Sequence, residues 1–258
     1  MTELNNTLQR KKFNILLIGD NCIDRYVFGT VDRISPEAPV PVLKIDNDRE
    51  ITRPGMAGNV KENLVALGNE VNFLFGATSV KTRIVDSKSG YHLLRVDEDV
   101  KSDRIEIQTS IPSHYDAIVI SDYNKGTVTY ETVNEIRAVF DGPIFIDTKK
   151  TGMHEFNGCY VKINESEYNA AQSLPNLEYL IVTKGAQGAQ YNGKLYPTNK
   201  VEVHDVTGAG DVFLASLATF YLHLGSIEAA IPYANKLAAI SVTHKGTYTI
   251  SEDDLNSL

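Results

Sequence analysis

The sequence predicts an α/β protein built on a mainly parallel sheet, and three observations carry that reading. Residues 13–18 form an unbroken apolar run ending on Gly19-Asp20-Asn21, the pattern of a strand buried on both faces. Residues 117–121 and 143–146 repeat that pattern, with a helical stretch carrying Val133, Ile136 and Phe140 between them. Strand, helix and strand at this spacing mean parallel pairing through a right-handed crossover. Residues 212–224 are too apolar all round for a surface helix and belong in the core. A chain of 258 residues with 42% hydrophobic content can bury such a core as one domain spanning 1–258. No internal repeat, low-complexity tract or linker interrupts it.

Taken in order, the first strand delivers Asp20, Asn21 and Asp24 beyond its carboxyl end, where ligands gather in open α/β sheets. The same residue types also make turns. Residues 27–54 change character: Pro36, Pro39, Pro41 and Pro54 punctuate short alternating pieces, which reads as edge strands in a small β-flap. Arg53-Pro-Gly-Met-Ala-Gly-Asn59 then opens a short helix with Val60, Leu64 and Leu67 on one face, closed by Gly68. Glycines ahead of a helix let a ligand approach the backbone. Residues 71–75 form a strand that passes almost at once into 81–85, and 86–90 turn the chain back into a strand over 91–96. Lys81, Arg83 and Arg95 on that hairpin either hold a phosphate or form a solvated face.

Strands follow at 160–163 and 179–183, the second ending on Lys184-Gly185. Between them Asn164-Glu-Ser-Glu167 reads as a polar turn starting a helix. Asn192-Gly193 signals a peripheral hairpin. Residues 227–242 form a second apolar helix, in which Asn235 needs a partner.

The centre of the chain is His-Asp-Val-Thr-Gly-Ala-Gly-Asp, residues 204–211. Val201 and Val203 alternate with polar neighbours and predict a strand entering this turn. A helix that begins on Gly-Ala-Gly exposes its first backbone N–H groups, and its dipole makes that end a seat for an anion such as phosphate. Asp211 in the first turn is then the odd residue, since a carboxylate repels a resting phosphate. It makes sense as the group that takes a proton from a hydroxyl attacking that phosphate. The bland alternative is an acid that only complements the dipole. A dinucleotide fingerprint is disfavoured because Phe213 stands where its third glycine belongs, and no P-loop string occurs.

Asp-Val-Thr-Gly-Ala-Gly-Asp (205–211) resembles the second signature, D-x-T-G-A-G-D, of the PfkB (ribokinase-like) carbohydrate kinases, and residues 53–59 resemble the first. Arg33-Ile-Ser-Pro-Glu-Ala-Pro-Val-Pro41 and Ser-Asp-Tyr-Asn-Lys-Gly (121–126) resemble the heptose 7-phosphate kinase branch. The resemblance implies a ribokinase-like three-layer α/β/α sandwich with a mainly parallel central sheet and a β-sheet lid at about 27–54 and 81–98. It implies ATP-dependent phosphorylation of a sugar or sugar phosphate, with Asp211 as base and the amides of Gly208, Ala209 and Gly210 steadying the transferred group. Acceptor contacts fall on Asp20, Asn21, Asp24, Arg33, Gly55, Gly58, Asn59, Asp122 and Lys125. ATP contacts fall on Lys149, Asn164, Thr183, Lys184, Gly185, Thr207, Asn235 and Gly246. Mg2+ falls near Asn164 and Glu167, largely through water. A homodimer through the lid is the protein partner implied.

There are departures. Met56 replaces a glycine of the first signature, Lys61 stands at a normally small position, a helix and strand ahead of the 81–96 hairpin are missing, and 168–176 is short. They leave two alternatives: a kinase for another hexose, ribose or nucleoside, or a sugar-phosphate-binding protein without turnover. The nucleotidyltransferase domain of bifunctional bacterial relatives is not expected after Asp253. A net charge of −8 argues against a nucleic-acid surface. Two cysteines without metal spacing read as free thiols, and no signal peptide or membrane-length run occurs, so a cytoplasmic protein is expected.

Overall fold

The computed structural model describes residues 11–107 and 114–258. Its frame is one sheet whose first strand, β1 (Asn14–Ile34), is far longer than the apolar run that starts it. In the core half its side chains alternate: Ile15 and Leu17 enter one hydrophobic cluster, Leu16 and Ile18 the other. Burial on both faces is what the unbroken apolar run requires.

β2 (Pro41–Met56), β3 (Glu70–Asp86), β4 (His92–Glu98), β5 (Ala117–Asp122), β6 (Ile144–Thr148), β7 (Tyr160–Asn164), β8 (Leu180–Thr183), β9 (Ala189–Tyr191) and β10 (Lys194–Tyr196) complete it. The spatial order is β10-β9-β8-β7-β6-β5-β1-β3-β4, with β2 added along β1. β3, β1, β5, β6, β7 and β8 run parallel; β4, β9 and β10 pair antiparallel at the two ends.

Helices cover both faces. One layer holds α1 (Ala57–Ala66), α4 (Ala209–Leu224) and α5 (Ile227–Ser241), which bury Val60, Leu64, Leu217 and Leu237 in the first cluster. The opposite layer holds α2 (Tyr130–Val139), whose Val133 and Ile136 pack with Met153 and Phe156 in the second cluster. α3 (Glu165–Ala170) and α6 (Glu252–Asn256) are short. The result is the three-layer α/β/α sandwich, and no helix of the described residues is long and apolar enough to cross a membrane.

Three expectations need correction. Residues 201–203 are not a strand; Val201 and Val203 are exposed and lie along a cleft wall, because no neighbouring strand accepts their backbone. The flap is not a separate small sheet. β1 runs without a break from the core into it and pairs with β2 from Asn21 to Ile34, so the lid prolongs the central sheet. The two strands read at 71–75 and 81–85 are one, β3, which pairs with β1 from Asn14 to Gly29. Within β3, ahead of its lid portion, Leu74 and Phe75 stand 42% and 46% exposed.

Candidate active site

The turn into α4 begins with Gly208 at φ 79, a left-handed conformation that suits glycine. A Cβ there would stand 2.6 Å from Asn59 Nδ2, and one on Gly210 would stand 2.7 Å from Lys162 Nζ. The glycines thus let the helix start press against an asparagine and an ammonium. Among the described residues the amides of Gly208 and Gly210 have no acceptor, whereas Ala209 N donates weakly to Val206 O at 3.3 Å.

Asp211 is 3% exposed in the first turn of α4. Asn59 Nδ2 donates to its Oδ2 at 2.9 Å and Tyr123 OH to its Oδ1 at 3.0 Å. Burial is the main cause that lifts its pKa to about 6, and the charge of Asp147 adds to it; Asn59, Lys162 and Tyr123 pull the other way. Burial and the same carboxylates push Tyr123 well above the ordinary phenol value, so it stays a donor.

Asp211 lines a cleft of about 670 Å3 with Gly208, Ala209, Gly210, Asp147 and Lys162. Lys162 Nζ donates to Asp147 Oδ2 at 2.7 Å, and both side chains are buried. Asp147 Oδ1 is buried with no partner among the described residues. Farther along, Val201, Val203, Val206, Ala238 and Val242 make an apolar wall. Of the residues read for ATP, Lys149, Asn164, Thr183, Gly185 and Asn235 line this cleft; Lys184 does not, and Thr207 and Gly246 line a second cavity beneath the lid. Asn235 donates to Tyr196 O at 2.8 Å, the partner a buried mid-helix asparagine needs. Lys149 is pulled down by burial, but Asp147 and Glu167 outweigh this and hold it above its ordinary value.

The residues read for the acceptor divide. Asn59 touches Asp211, and Gly55 and Gly58 sit so close to Asp24 Oδ2 and Asn21 Oδ1 that a Cβ would fall within 2.6 and 2.8 Å of them. Asp24 is paired to buried Arg83. Asp20 accepts the amides of Tyr123, Lys125 and Thr127 and holds that turn rather than facing either cavity. Asp122 is likewise enclosed by Asn124 N, Thr148 Oγ1 and Lys150 Nζ. Lys125 pairs with Asp99 at 2.5 Å, and Arg33 is exposed on the lid, lining neither cavity. Asn164 and Glu167 form a capping box for α3: Glu167 N donates to Asn164 Oδ1 and Asn164 N to Glu167 Oε2, while Lys149 donates to Glu167 Oε1. Among the described residues no group of three His, Cys, Asp or Glu is set to hold a metal.

The pfkB family carbohydrate kinase profile matches residues 145–254, a span that holds the α4 turn, Lys162 and Asp211. The "Bifunctional protein HldE" of Campylobacter curvus is 31% identical over 96% of this chain and 65% of its own length. That of Hyphomonas neptunium is 32% identical over 94% and 63%. The chain belongs to the pfkB family of carbohydrate kinases. It spans less than two thirds of the length of those relatives. The alignment with the Campylobacter protein runs over 310 positions, more than the 258 residues of this pfkB chain, so that relative carries residues with no counterpart here. Among solved structures, ribokinase from Thermotoga maritima superposes with a TM-score of 0.66 at 18% identity, covering 95% of this chain and 98% of its own. Ribokinase of Arabidopsis thaliana, complexed with ribose and ATP, gives 0.64 at 14% over 95% and 98%. These two share the fold.

Three residues of this candidate site escaped the sequence reading. Lys162 looked like a polar position in a short strand, yet β7 is central and a lysine there must find a partner, which was the available signal. Asp147 reads as a strand-end acid, and nothing in the linear pattern marks its free oxygen. Tyr123 lay inside a motif already quoted, but its reach to Asp211 depends on the fold of the 122–127 turn.

Proposed function

We propose that this chain transfers the γ-phosphoryl group of ATP to a hydroxyl of a sugar phosphate, with heptose 7-phosphate as the leading acceptor. The single observation that carries the reading is Asp211: a buried carboxylate with a pKa near 6, beside two bare amides and an ammonium. At pH 7 about nine-tenths of it is ionised and ready to accept a proton. The acceptor oxygen attacks the γ-phosphorus as the bond to the β-bridging oxygen breaks. The electron pair leaves on ADP, and the acceptor proton goes to Asp211. The Gly208 and Gly210 amides and Lys162 meet the charge on the transferred group. The apolar wall of Val201, Val206 and Val242 suits an adenine ring. The heptose preference rests on residues 33–41 and 121–126 and on the likeness to the HldE proteins.

Asn164 Oδ1 and Glu167 Oε2 accept each other's backbone amides and Glu167 Oε1 accepts Lys149 Nζ, so these two would reach magnesium through water, while Asp147 Oδ1 has no partner among the described residues. Asp147 would therefore hold the ion directly, and the ion would neutralise charge on the ATP phosphates. The exposed Ile34, Tyr91 and Leu94 support pairing of two copies through the lid.

The experiment is ADP release with magnesium-ATP and a panel of heptose 7-phosphates, hexoses, pentoses and nucleosides, repeated with Asp211→Asn. Loss of a general base predicts a fall in kcat of about 100-fold or more, with ADP affinity by calorimetry retained. A variant at full rate would remove Asp211 from the mechanism. The residues this chain lacks favour a second reading, sugar-phosphate binding without turnover; wild-type protein that binds the sugar phosphate but no ADP would establish it.

A further inference from the structure

The turn after β5, residues 122–127, carries the tyrosine that donates to Asp211, and its backbone is an uncommon one. Asn124 stands at φ 59 and Gly126 at φ 112, both in the left-handed half of conformational space. A turn of that kind costs free energy unless its surroundings fix it. On its amide side, Asp20 accepts Tyr123 N, Lys125 N and Thr127 N. Its carbonyl side is held by a different part of the chain. Lys125 O accepts Ser102 N at 2.8 Å, and Thr127 O accepts Ile105 N at 3.0 Å. The cations beside the Tyr123 ring, Lys81 Nζ at 5.8 Å and Lys149 Nζ at 5.3 Å, sit on flexible stems. The backbone of the turn therefore sets where the tyrosine hydroxyl falls.

Residues 99–105 form neither helix nor strand and follow directly on β4, which ends at Glu98. Ser102 ties this strap down at three places. Its amide holds Lys125 O, its Oγ accepts Ala77 N, and its carbonyl lies so close to Gly126 that a Cβ there would collide with it. A Cβ on Gly76 would collide with the Ser102 hydroxyl in the same way. The serine is thus wedged between two glycines, one on β3 and one in the turn. Only residues without a side chain allow so close an approach, which marks a fitted contact and not a chance one. Beside it, Val100 N donates to Ser79 Oγ at 3.1 Å, and Lys125 pairs with Asp99 at 2.5 Å. Ser102 lines neither cavity, so it acts on the site through what it holds.

We propose that Ser102 is a positioning residue for the base: by joining β3 to the 122–127 turn, it holds the Tyr123 hydroxyl against Asp211. The inference rests on the kinase reading for its effect on turnover, though not for the contact itself. Removing the serine hydroxyl leaves Ala77 N without its partner and loosens the strap. The turn then relaxes, and Tyr123 meets Asp211 for a smaller fraction of the time. The base loses the donor that orients one of its two oxygens. Ser102 acts on Asp211 only through that tyrosine, which sets it apart from a residue that merely supports the fold.

The test reads the tyrosine before it reads turnover. The whole chain is isotope-labelled at the Cζ of tyrosine and followed by NMR; the Tyr123 signal is the one lost in Tyr123→Phe. Asp211→Asn shows which way that signal moves when the carboxylate acceptor is weakened to an amide. Ser102→Ala is expected to move it the same way, while the signals of Tyr179 and Tyr191, at the far end of the sheet, stay in place. An unmoved Tyr123 signal overturns the proposal. So does movement of all the tyrosine signals together, which would make Ser102 a support of the whole fold. Should Ser102→Ala fail to fold, Asp99→Ala at the surface cuts the strap's pair with Lys125 instead. It is expected to move the Tyr123 signal the same way by less, and an unmoved signal there overturns the proposal too. With magnesium-ATP and heptose 7-phosphate, Ser102→Ala should lower kcat about fivefold and leave KM for ATP within about twofold. In a Tyr123→Phe background the same substitution should cost nothing further, because the two residues act in series. Additive losses overturn the positioning role. A wild type that releases no ADP sinks the kinase reading, and the tyrosine signal then decides the tie by itself.

Discussion

Asp211 holds its charge against its surroundings, and its neighbours set how hard that is. Burial and Asp147 favour the neutral acid; Asn59 and Tyr123 donate to the carboxylate and favour the ion. A base must be ionised to act, so kcat/KM is expected to fall about tenfold per pH unit below about pH 6. Removing a donor that lowers the pKa must raise it. Asn59→Ala is therefore expected to move the acid limb toward about pH 7, so that its rate deficit is largest at low pH and shrinks at pH 8. A uniform loss across the pH range would show that Asn59 acts on the acceptor and not on the base. Tyr123→Phe removes the other donor and is expected to move the limb in the same direction.

At the scale of elements, the start of α4 separates two glycines that look alike in sequence. Gly208 sits at φ 79 with Asn59 Nδ2 pressed against it, so Gly208→Ala combines backbone strain with displacement of a side chain bonded to Asp211. It is expected to cost about 1–2 kcal/mol and to lower activity. Gly210 lies inside the helix, where alanine is the better helix former, but a Cβ there would stand 2.7 Å from Lys162 Nζ and 3.7 Å from Asp147 Oδ2, so that buried ion pair would have to shift. In Gly210→Ala, ADP release should fall about tenfold or more, because the methyl group and the displaced ammonium crowd the phosphate seat. A full rate would place the phosphate elsewhere. The glycines were legible because a helix that begins on Gly-Ala-Gly bares its first amides and has few other uses. The core strands were legible too, since burial on both faces leaves unbroken apolar runs. What stayed hidden depends on partners distant in sequence: Lys162 against Asp147, Tyr123 on Asp211, and Ser102 between Ala77 and Lys125. Residues 201–203 misled because alternation also arises where apolar side chains line a cleft without forming a ladder.

For the whole molecule, the decisive feature is that lid and core share strands. β1 and β3 pair from Asn14 beside Glu70 to Gly29 beside Asp86, with only a register irregularity near Gly19. A lid joined through loops would open as a body about a hinge; a lid that continues the central ladder can loosen only by fraying from its free end. The buried pair of Asp24 and Arg83 lies part-way along that ladder, and breaking such a pair leaves an uncompensated charge that costs about 3–5 kcal/mol. It should act as a stop. Amide exchange in β1 is therefore expected to stay slow from Ile15 to about Asp24 and to quicken gradually toward Ile34. Asp24→Asn should move the onset of fast exchange back toward the core and lower global stability, while Ile15 and Leu17 remain the slowest. An abrupt step between Asp20 and Asn21 in the wild type would mean that the lid moves as a separate body despite the continuous ladder.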